Sequence, residues 1–254
     1  MKKRAFLLSP LIGLIATPSY SQAMSENKGT LTITPSYAST NMFRGVRYGG
    51  LSFQPTIEYS KGPLSLSLPT SFPVSDKIDG VCDPEIDLTA SYTWDIVPNK
   101  FTIKPGFWIY GYPRAYEDTY KFQFEPNIAF GYTFKDIVFS LNFYYDLVFQ
   151  GGGYELGLDY SIPIKPLDIE LSALFGSFDQ SNTTNEPVKV RNKGDYFQAG
   201  ISIPYEFSSK SKLIFGWCYT KGMNNYTQKV GGVKESNPDA VGCGVFQLSF
   251  SQSF

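Results

Sequence analysis

From residue 30 to the final residue, apolar and polar side chains alternate along the chain with a period of two. The last segment shows the pattern clearly, because Phe246, Leu248 and Phe250 are separated by Gln247 and Ser249. Successive side chains of an extended strand point to opposite faces, so each segment is expected to have one apolar and one polar face. About twelve segments of roughly ten residues can be distinguished, and ten residues is the length that a tilted transmembrane strand needs.

The connections between these segments alternate in length. The short connections are residues 61–62, 97–100, 135–136, 165–166 and 208–211. The intervening connections are mostly longer: residues 74–84, 111–119, 179–193 and 222–239, with short exceptions at 48–50 and 150–153. Short periplasmic turns and longer outer loops are typical of bacterial outer-membrane barrels. The sequence therefore predicts an all-β fold, a single antiparallel transmembrane β-barrel of about 12 strands with both termini on the periplasmic side.

A soluble antiparallel sandwich or a secreted barrel would alternate as well. Three features favour the membrane barrel: the apolar face is rich in Phe and Tyr on nearly every segment, the alternation does not lapse in any edge strand, and the chain ends in Phe254. A last strand that ends in Phe resembles the signal read by the outer-membrane assembly machinery, although Gln252 interrupts the alternation. Prolines 55, 105, 126 and 163 lie in or near the segments, and we expect them near the barrel rims.

The N-terminus has the organisation of a signal peptide. Residues 2–4 are basic, residues 5–16 are mostly apolar, and Ser21-Gln22-Ala23 offers small residues at the two positions that a signal peptidase reads. The apolar stretch is too short to cross a bilayer as a helix. We therefore expect a signal peptide at residues 1–23 and an outer-membrane β-barrel at residues 24–254; the alternative is an uncleaved membrane anchor.

Composition narrows the function classes. Aromatic residues make up 17% of the chain, with 18 Tyr and 21 Phe against 3 Trp, which suits a surface that is partly lipid-facing and partly wet. The formal net charge of −1 does not favour nucleic-acid binding, which usually requires a basic surplus. Histidine is absent, which removes the usual general base and the His-ligated zinc site. We therefore expect no catalytic residues, no metal, no cofactor and no enzymatic activity.

On the barrel interpretation the polar face points into the lumen, and acids outnumber bases there. The candidate lumen or constriction residues are Arg44, Glu58, Asp87, Lys104, Glu125, Asp146, Glu155 and Asp159. An acidic lumen, if open, favours cations or neutral polar solutes over anions. Alternatively, these side chains form structural ion pairs that fill a narrow barrel, for which Arg44 and Glu58 on adjacent strands are a candidate pair.

Four short segments carry a family resemblance. They are Asn41-Met42-Phe43-Arg44-Gly45, Leu51-Ser52-Phe53-Gln54-Pro55, Asp83-Pro84-Glu85-Ile86-Asp87 and Phe124-Glu125-Pro126-Asn127. In these segments the chain resembles an uncharacterised family of bacterial outer-membrane β-barrels that carries a Phe-Arg-Gly motif near the mature N-terminus. It is also faintly similar to nucleoside-specific channels. The resemblance implies an outer-membrane barrel and no established substrate.

The chain has three cysteines, and the cell envelope is oxidising enough to permit a disulfide. Cys218 and Cys243 lie at similar distances from the centre of the last long connection, which makes them the disulfide candidate. A pair between Cys82 and Cys243 is the rival, and all three thiols can also be free.

These observations support two functions. The first is a passive channel or binding barrel for small polar or cationic solutes. The second is a closed structural or surface-interaction barrel without transport. Expected partners are outer-membrane lipids and lipopolysaccharide, the barrel-assembly machinery and, for a channel, small polar solutes, with no nucleic acid. Only about six residues separate the expected cleavage site from the first strand, which leaves no room there for an N-terminal plug domain.

Overall fold

The computed structural model describes residues 29–77, 84–114, 121–164, 167–181, 190–229 and 232–254. The predicted signal peptide, Cys82 and the turn at residues 165–166 lie outside the described residues. Among the residues that the structure describes, no helix is long and apolar enough to cross a membrane.

The described chain is built from antiparallel strands. The strands of the first half are β1 (Thr30–Thr34), β2 (Ser36–Ala38), β3 (Asn41–Phe43), β4 (Val46–Gly49), β5 (Ser52–Phe53), β6 (Thr56–Lys61), β7 (Leu64–Pro73), β8 (Glu85–Tyr92), β9 (Trp94–Val97) and β10 (Phe101–Gly111). Those of the second half are β11 (Phe122–Phe134), β12 (Ile137–Asp146), β13 (Gly151–Ile164), β14 (Leu167–Ser181), β15 (Val190–Glu206), β16 (Ser211–Lys229), β17 (Lys234–Ser236) and β18 (Gly242–Ser253).

Twelve barrel strands result, because three of them are interrupted and consist of two pieces: β1 with β2, β5 with β6, and β8 with β9. The ring closes where the first barrel strand pairs with β18, with Thr32 opposite Ser253 and Tyr37 opposite Leu248. Each remaining barrel strand pairs with its sequence neighbours, which confirms the predicted single antiparallel barrel.

The outer surface of the barrel is apolar. Large apolar side chains that are exposed along the strands include Leu31, Ile33, Ile57, Leu66, Leu88, Ile128, Phe143, Leu156, Leu158, Phe215, Leu248 and Phe250. Aromatic residues occur towards both ends of the strands, among them Tyr37, Tyr145, Tyr154 and Tyr219 at the outer end and Tyr92, Trp94, Tyr132, Phe134, Tyr160 and Tyr205 at the periplasmic end. An apolar band between aromatic girdles is the surface that a bilayer requires.

The inner surface is polar where the first and last strands meet. Thr32 and Ser253 share a hydrogen bond of 3.0 Å, and the Gln247 amide donates to the Ser36 hydroxyl at 2.6 Å. These side chains are satisfied across the seam, so they stabilise closure of the ring as well as lining the lumen.

The short turns are confirmed at the predicted positions. Gly62, Asn99 and Lys135 have positive φ values of 56°, 58° and 55°, as tight hairpin turns require. The outer turn after β12 is also short, and Gln150 has a φ of 48°.

The predicted rim position of the prolines is wrong for two of them. Pro105 lies opposite Ile128 in the middle of β10, and Pro126 lies opposite Phe107 within β11. Proline removes one ladder hydrogen bond, so it is tolerated where a neighbouring strand is not paired. Pro105 lies beside the gap between β8 and β9, and Pro126 lies just beyond the end of the pairing with β12.

The short connection predicted at residues 48–50 is also wrong. The chain between Ala38 and Ser52 is a longer insertion that contains β3 and β4, and these two strands pair only with each other. We call residues 41–49 the lumen hairpin, because its tip lies inside the barrel.

Candidate functional site

The lumen hairpin turns through Arg44 and Gly45, whose φ values are 48° and 74°. Two consecutive residues with positive φ between paired strands make the tight turn that is typical of two-residue hairpins. Glycine adopts this conformation freely, whereas arginine does so at a cost of about 1–2 kcal/mol. The contacts of the Arg44 side chain must therefore hold it in place.

Arg44 reaches the far wall of the barrel. Its Nη1 and Nη2 donate to Oε2 and Oε1 of Glu125 at 2.9 and 2.7 Å, and its Nε lies 3.9 Å from Oε1 of Glu155. Glu125 is on β11 and Glu155 is on β13, which are the sixth and eighth barrel strands. The lumen hairpin leaves the wall between the first and second strands, so it crosses the lumen.

Aromatic side chains enclose the guanidinium group. Its central carbon lies 3.7 Å from the ring centre of Tyr144 and 4.7 Å from that of Phe43. The hydroxyl of Tyr110 donates to Glu125 at 3.1 Å, and that of Tyr196 donates to Glu155 at 2.5 Å. A bidentate ion pair with aromatic stacking is the arrangement that suits arginine and that lysine cannot reproduce.

The tip is dry. Arg44 is only 8% exposed and Glu125 only 2% exposed. Beside them, Tyr144 and Tyr196 form a buried cluster with Leu174 and Phe178. Packed side chains therefore narrow the outer half of the lumen at this level.

The flanks of the lumen hairpin are anchored as well. Met42 packs in a buried cluster with Ala38, Cys218 and Val245. The backbone N–H of Arg47 donates to the carbonyl oxygen of Asp239 at 2.8 Å. The hairpin is thus held by the strands at the closing seam and by the last outer loop.

The prediction that Arg44 pairs with Glu58 is wrong, since the structure pairs Arg44 with Glu125 and places Glu155 nearby. The physical reason is that Arg44 lies on a hairpin that leaves the wall. Glu58 instead accepts a hydrogen bond from Ser65 at 3.3 Å, and it is the acid that acts electrostatically on Lys104.

Two further candidates lie near the outer ends of their strands. Asp146 ends β12, and its Oδ1 accepts hydrogen bonds from the backbone N–H groups of Val148 and Phe149 at 2.8 and 2.9 Å, so it caps the outer turn. Asp87 is buried on β8, two residues from Glu85 on the same inward face. The latter pair places two carboxyl groups beside the lumen hairpin.

The last candidate, Asp159, is on β13 towards the periplasmic end. It is buried and lies on the same side of the wall as Glu170 of β14. The described residues contain no group of three or more His, Cys, Asp and Glu side chains that could hold a metal ion.

The predicted disulfide is not present: Cys218 and Cys243 are both free thiols. The register explains this, because Cys218 lies opposite Val245 and Cys243 lies opposite Thr220. The two cysteines are therefore diagonal neighbours, about 7–8 Å apart, which is too far for a disulfide. The Cys243 thiol instead donates to the Thr40 hydroxyl at 3.7 Å.

Beyond the apolar band, β14 and β15 continue outwards with polar residues on their outer face. There Asp179 lies opposite Lys193 and accepts a hydrogen bond from Nε of Arg191 at 2.7 Å. The Arg191 guanidinium holds the pKa of the Asp179 carboxyl below its usual range. This ion pair lies outside the membrane and away from the lumen.

Sequence reasoning identified Arg44, Glu125 and Glu155 as lumen residues but missed the lumen hairpin that brings them together. The available signal was Arg44-Gly45 between Met42-Phe43 and Val46, which is an apolar–turn–apolar pattern of hairpin type. It also missed the hydrogen bonds that Tyr110 and Tyr196 donate, because aromatic residues are expected on the lipid face.

No protein-family model matches this sequence, and no curated protein matches it. Several solved structures share its fold. The NanC porin has a TM-score of 0.53 at 12% identity, covering 87% of this chain and 98% of its own. The KdgM porin, solved in complex with disordered oligogalacturonate, has a TM-score of 0.54 at 10% identity, covering 89% and 99%.

An outer-membrane channel from Pseudomonas putida F1 has a TM-score of 0.53 at 10% identity, covering 95% of this chain and 100% of its own. At these identities the likeness is one of fold. This chain has the porin-type barrel fold of bacterial outer-membrane proteins, in agreement with the predicted location in the outer membrane.

Proposed function

We propose that this protein is an outer-membrane channel for small polar or cationic solutes, with the lumen hairpin as its constriction. The observation that carries the proposal is the bridge that Arg44 makes from the hairpin to Glu125 on the far wall. An inserted segment tied to the opposite wall restricts the lumen at one level while the rest of the barrel keeps its polar lining.

The preference for cations follows from the lining. Described acids on the inner face include Glu58, Glu85, Asp87, Glu125, Asp146, Glu155, Asp159 and Glu170, and described bases there include Arg44, Lys104 and Lys212. Since Arg44 is bound to Glu125 and lies near Glu155, its charge is largely compensated. The field along the remaining lumen is negative, and low-dielectric walls strengthen it.

The limit on the size of the solutes follows from the position of the lumen hairpin. It occupies the outer half of the lumen, where Tyr110, Tyr144 and Tyr196 close around Arg44. The periplasmic half is lined by small polar side chains such as Ser67 and Ser140, which are only partly buried. A polar lumen with a narrowed outer half suits small polar solutes.

The structural neighbours fit a channel, since they are porins and channels. The oligogalacturonate found with the KdgM porin is an anionic chain, whereas the acidic lumen here favours positive charge. The ligand of that porin is therefore not part of our proposal. Outer-membrane lipids, lipopolysaccharide and the assembly machinery remain the proposed partners of the barrel itself.

A closed structural or surface-interaction barrel is the second candidate. The observation in its favour is the burial of the Arg44 and Glu125 side chains, which shows that the hairpin tip is packed against the far wall. We propose no enzymatic role for either version, because the chain has no histidine to act as a general base.

The test is conductance in planar bilayers of the wild type and of a variant without the lumen hairpin. Asn41 and Gly49 face each other in the register, so residues 42–48 can be replaced by an Asn-Gly turn with little strain. As a matched control, the same Asn-Gly turn replaces Lys135 and Asp136 on the periplasmic side, where Lys135 already has positive φ.

A channel predicts small, cation-selective conductance from the wild type and several-fold larger conductance from the hairpin variant. The turn control should conduct like the wild type. A silent wild type with a conducting hairpin variant would favour the closed barrel, and silence from all three would reject the channel.

A further inference from the structure

The periplasmic half of the lumen contains two carboxyl groups on adjacent strands. Asp159 on β13 lies opposite Ser172 on β14, and Glu170 on β14 lies opposite Ser161 on β13. The two acids are therefore diagonal neighbours on one face of the wall, about 7–8 Å apart at the backbone. Their alternation with Leu158 and Leu171, which point outwards, directs both carboxyl groups into the lumen.

Asp159 is 8% exposed, yet neither of its carboxylate oxygens has a hydrogen-bond partner among the described residues. Glu170 is better satisfied, because the Ser202 hydroxyl donates to it at 3.3 Å. A buried carboxylate without partners is costly unless a cation or hydrogen-bond donors compensate it. A cation that carries N–H donors would therefore stabilise the Asp159 carboxylate.

The charges nearby indicate the valence of that ligand. Lys212 acts on Glu170, and Lys104 is the base near Glu58, so each of these acids has a basic neighbour. The charged residue that acts on Asp159 is Glu170, which has the same sign. Among the described residues no base acts on Asp159, and one positive charge balances it.

We propose that Asp159, supported by Glu170 and the Ser172 hydroxyl, forms a binding subsite for a monovalent cation that carries a primary ammonium group. This inference rests on the proposed function and names the class of solute that the lumen holds. An ammonium group supplies the positive charge and three N–H donors for the two unpartnered oxygens of Asp159 and a neighbouring hydroxyl. Because Lys212 already acts on Glu170, one positive charge balances the pair and a divalent ion would leave an excess of positive charge.

The test is isothermal titration of the full-length barrel, refolded in detergent, with methylammonium chloride. Tetramethylammonium chloride, which has the charge but no N–H donor, and potassium chloride are titrated at the same ionic strength. The variants are Asp159→Asn, which keeps the shape and removes the charge, and Asp179→Asn, which removes an acid outside the lumen. Ser172→Ala provides a second probe of the subsite.

Methylammonium should bind the wild type and Asp179→Asn equally well, and should bind Asp159→Asn about 10-fold or more weakly, as expected for loss of a charge-assisted hydrogen bond. Ser172→Ala should weaken binding by a smaller factor. Equal binding to Asp159→Asn and the wild type would overturn the site, and equal binding of tetramethylammonium or potassium would overturn the ammonium assignment.

Binding is measured without any flow of ions, so the result is independent of conductance. If the barrel does not conduct in bilayers but binds methylammonium through Asp159, the subsite is supported and the channel is rejected. If the barrel conducts and the Asp159→Asn variant binds methylammonium normally, the channel is supported and the subsite is rejected.

Discussion

Gly45 and Gly222 meet backbone to backbone where the lumen hairpin touches the wall. A Cβ atom on Gly45 would lie 2.7 Å from Cα of Gly222, and one on Gly222 would lie 2.5 Å from the carbonyl oxygen of Gly45. Both distances are shorter than real Cβ contacts allow. The hairpin tip and β16 therefore fit only because both residues are glycine.

Replacing Gly222 with Ala should displace the lumen hairpin from β16. The added methyl group meets the Gly45 backbone, which cannot rotate away, and overpacking of this kind costs about 1–3 kcal/mol. We expect lower stability and larger single-channel conductance. Gly62→Ala is the control, because Gly62 has a φ of 56° but no atom lies within 4 Å of the point that its Cβ would occupy; it should lose some stability without any change in conductance.

Removing the charge of Arg44 should destabilise the barrel more than removing both charges of its ion pair. Arg44→Met leaves Glu125 and Glu155 buried without their cation, at a cost of about 3–5 kcal/mol. Adding Glu125→Gln should restore part of that loss. Urea unfolding of the two single variants and the double variant in lipid vesicles gives the coupling energy, and strict additivity would contradict the ion pair.

Ion selectivity should respond to lumen acids and not to surface acids. Glu58 lies on the inner face of β6, whereas Asp179 lies outside, paired with Arg191. Glu58→Gln should therefore lower the preference for K⁺ over Cl⁻, and Asp179→Asn should leave it unchanged. Reversal potentials across a KCl gradient measure this, and an anion-selective wild type would reject the prediction.

A charged side chain on the apolar outer band should lower the stability of the barrel. Leu156 points outwards near the middle of β13 and is 48% exposed, opposite Leu141 and Phe175 of the neighbouring strands. Leu156→Arg should lower the free energy of unfolding in bilayers by about 2–4 kcal/mol. Val233→Arg makes a similar change at an 83% exposed loop position and should be nearly neutral. Equal effects at both sites would mean that lipid does not contact this face.

Cys218 and Cys243 should both be free thiols in the folded protein. In a Cys82→Ser background, denaturation without reductant followed by alkylation should add two alkyl groups per chain, as measured by mass spectrometry. Prior treatment with reductant should not change that number. A chain that takes up no alkyl group until it is reduced would show that the two cysteines are bonded.

The sequence predicted the barrel well because the features that define a barrel strand lie within a few neighbouring residues. The alternation of apolar and polar residues depends only on strand geometry and on lipid facing one side, so strand number and turn positions follow from counting. Gly62, Asn99 and Lys135 all lie where short turns were expected.

The candidate site was harder to predict from the sequence, because it depends on the direction in which the inserted hairpin points. A hairpin at residues 41–49 has the same local pattern whether it extends into solvent or folds inward. Its direction is decided by distant residues, notably Glu125, Glu155 and Gly222, which lie far along the chain. The Cys218–Cys243 prediction failed for a related reason, since an offset of two residues in register separates the thiols.

The lumen hairpin also sets an order for biogenesis. It is among the first segments to be synthesised, yet its tip contacts β11, β13 and β16, which all come later in the chain. Its contacts with the far wall can therefore form only once those later strands are present, so the hairpin reaches its final position late although it is made early.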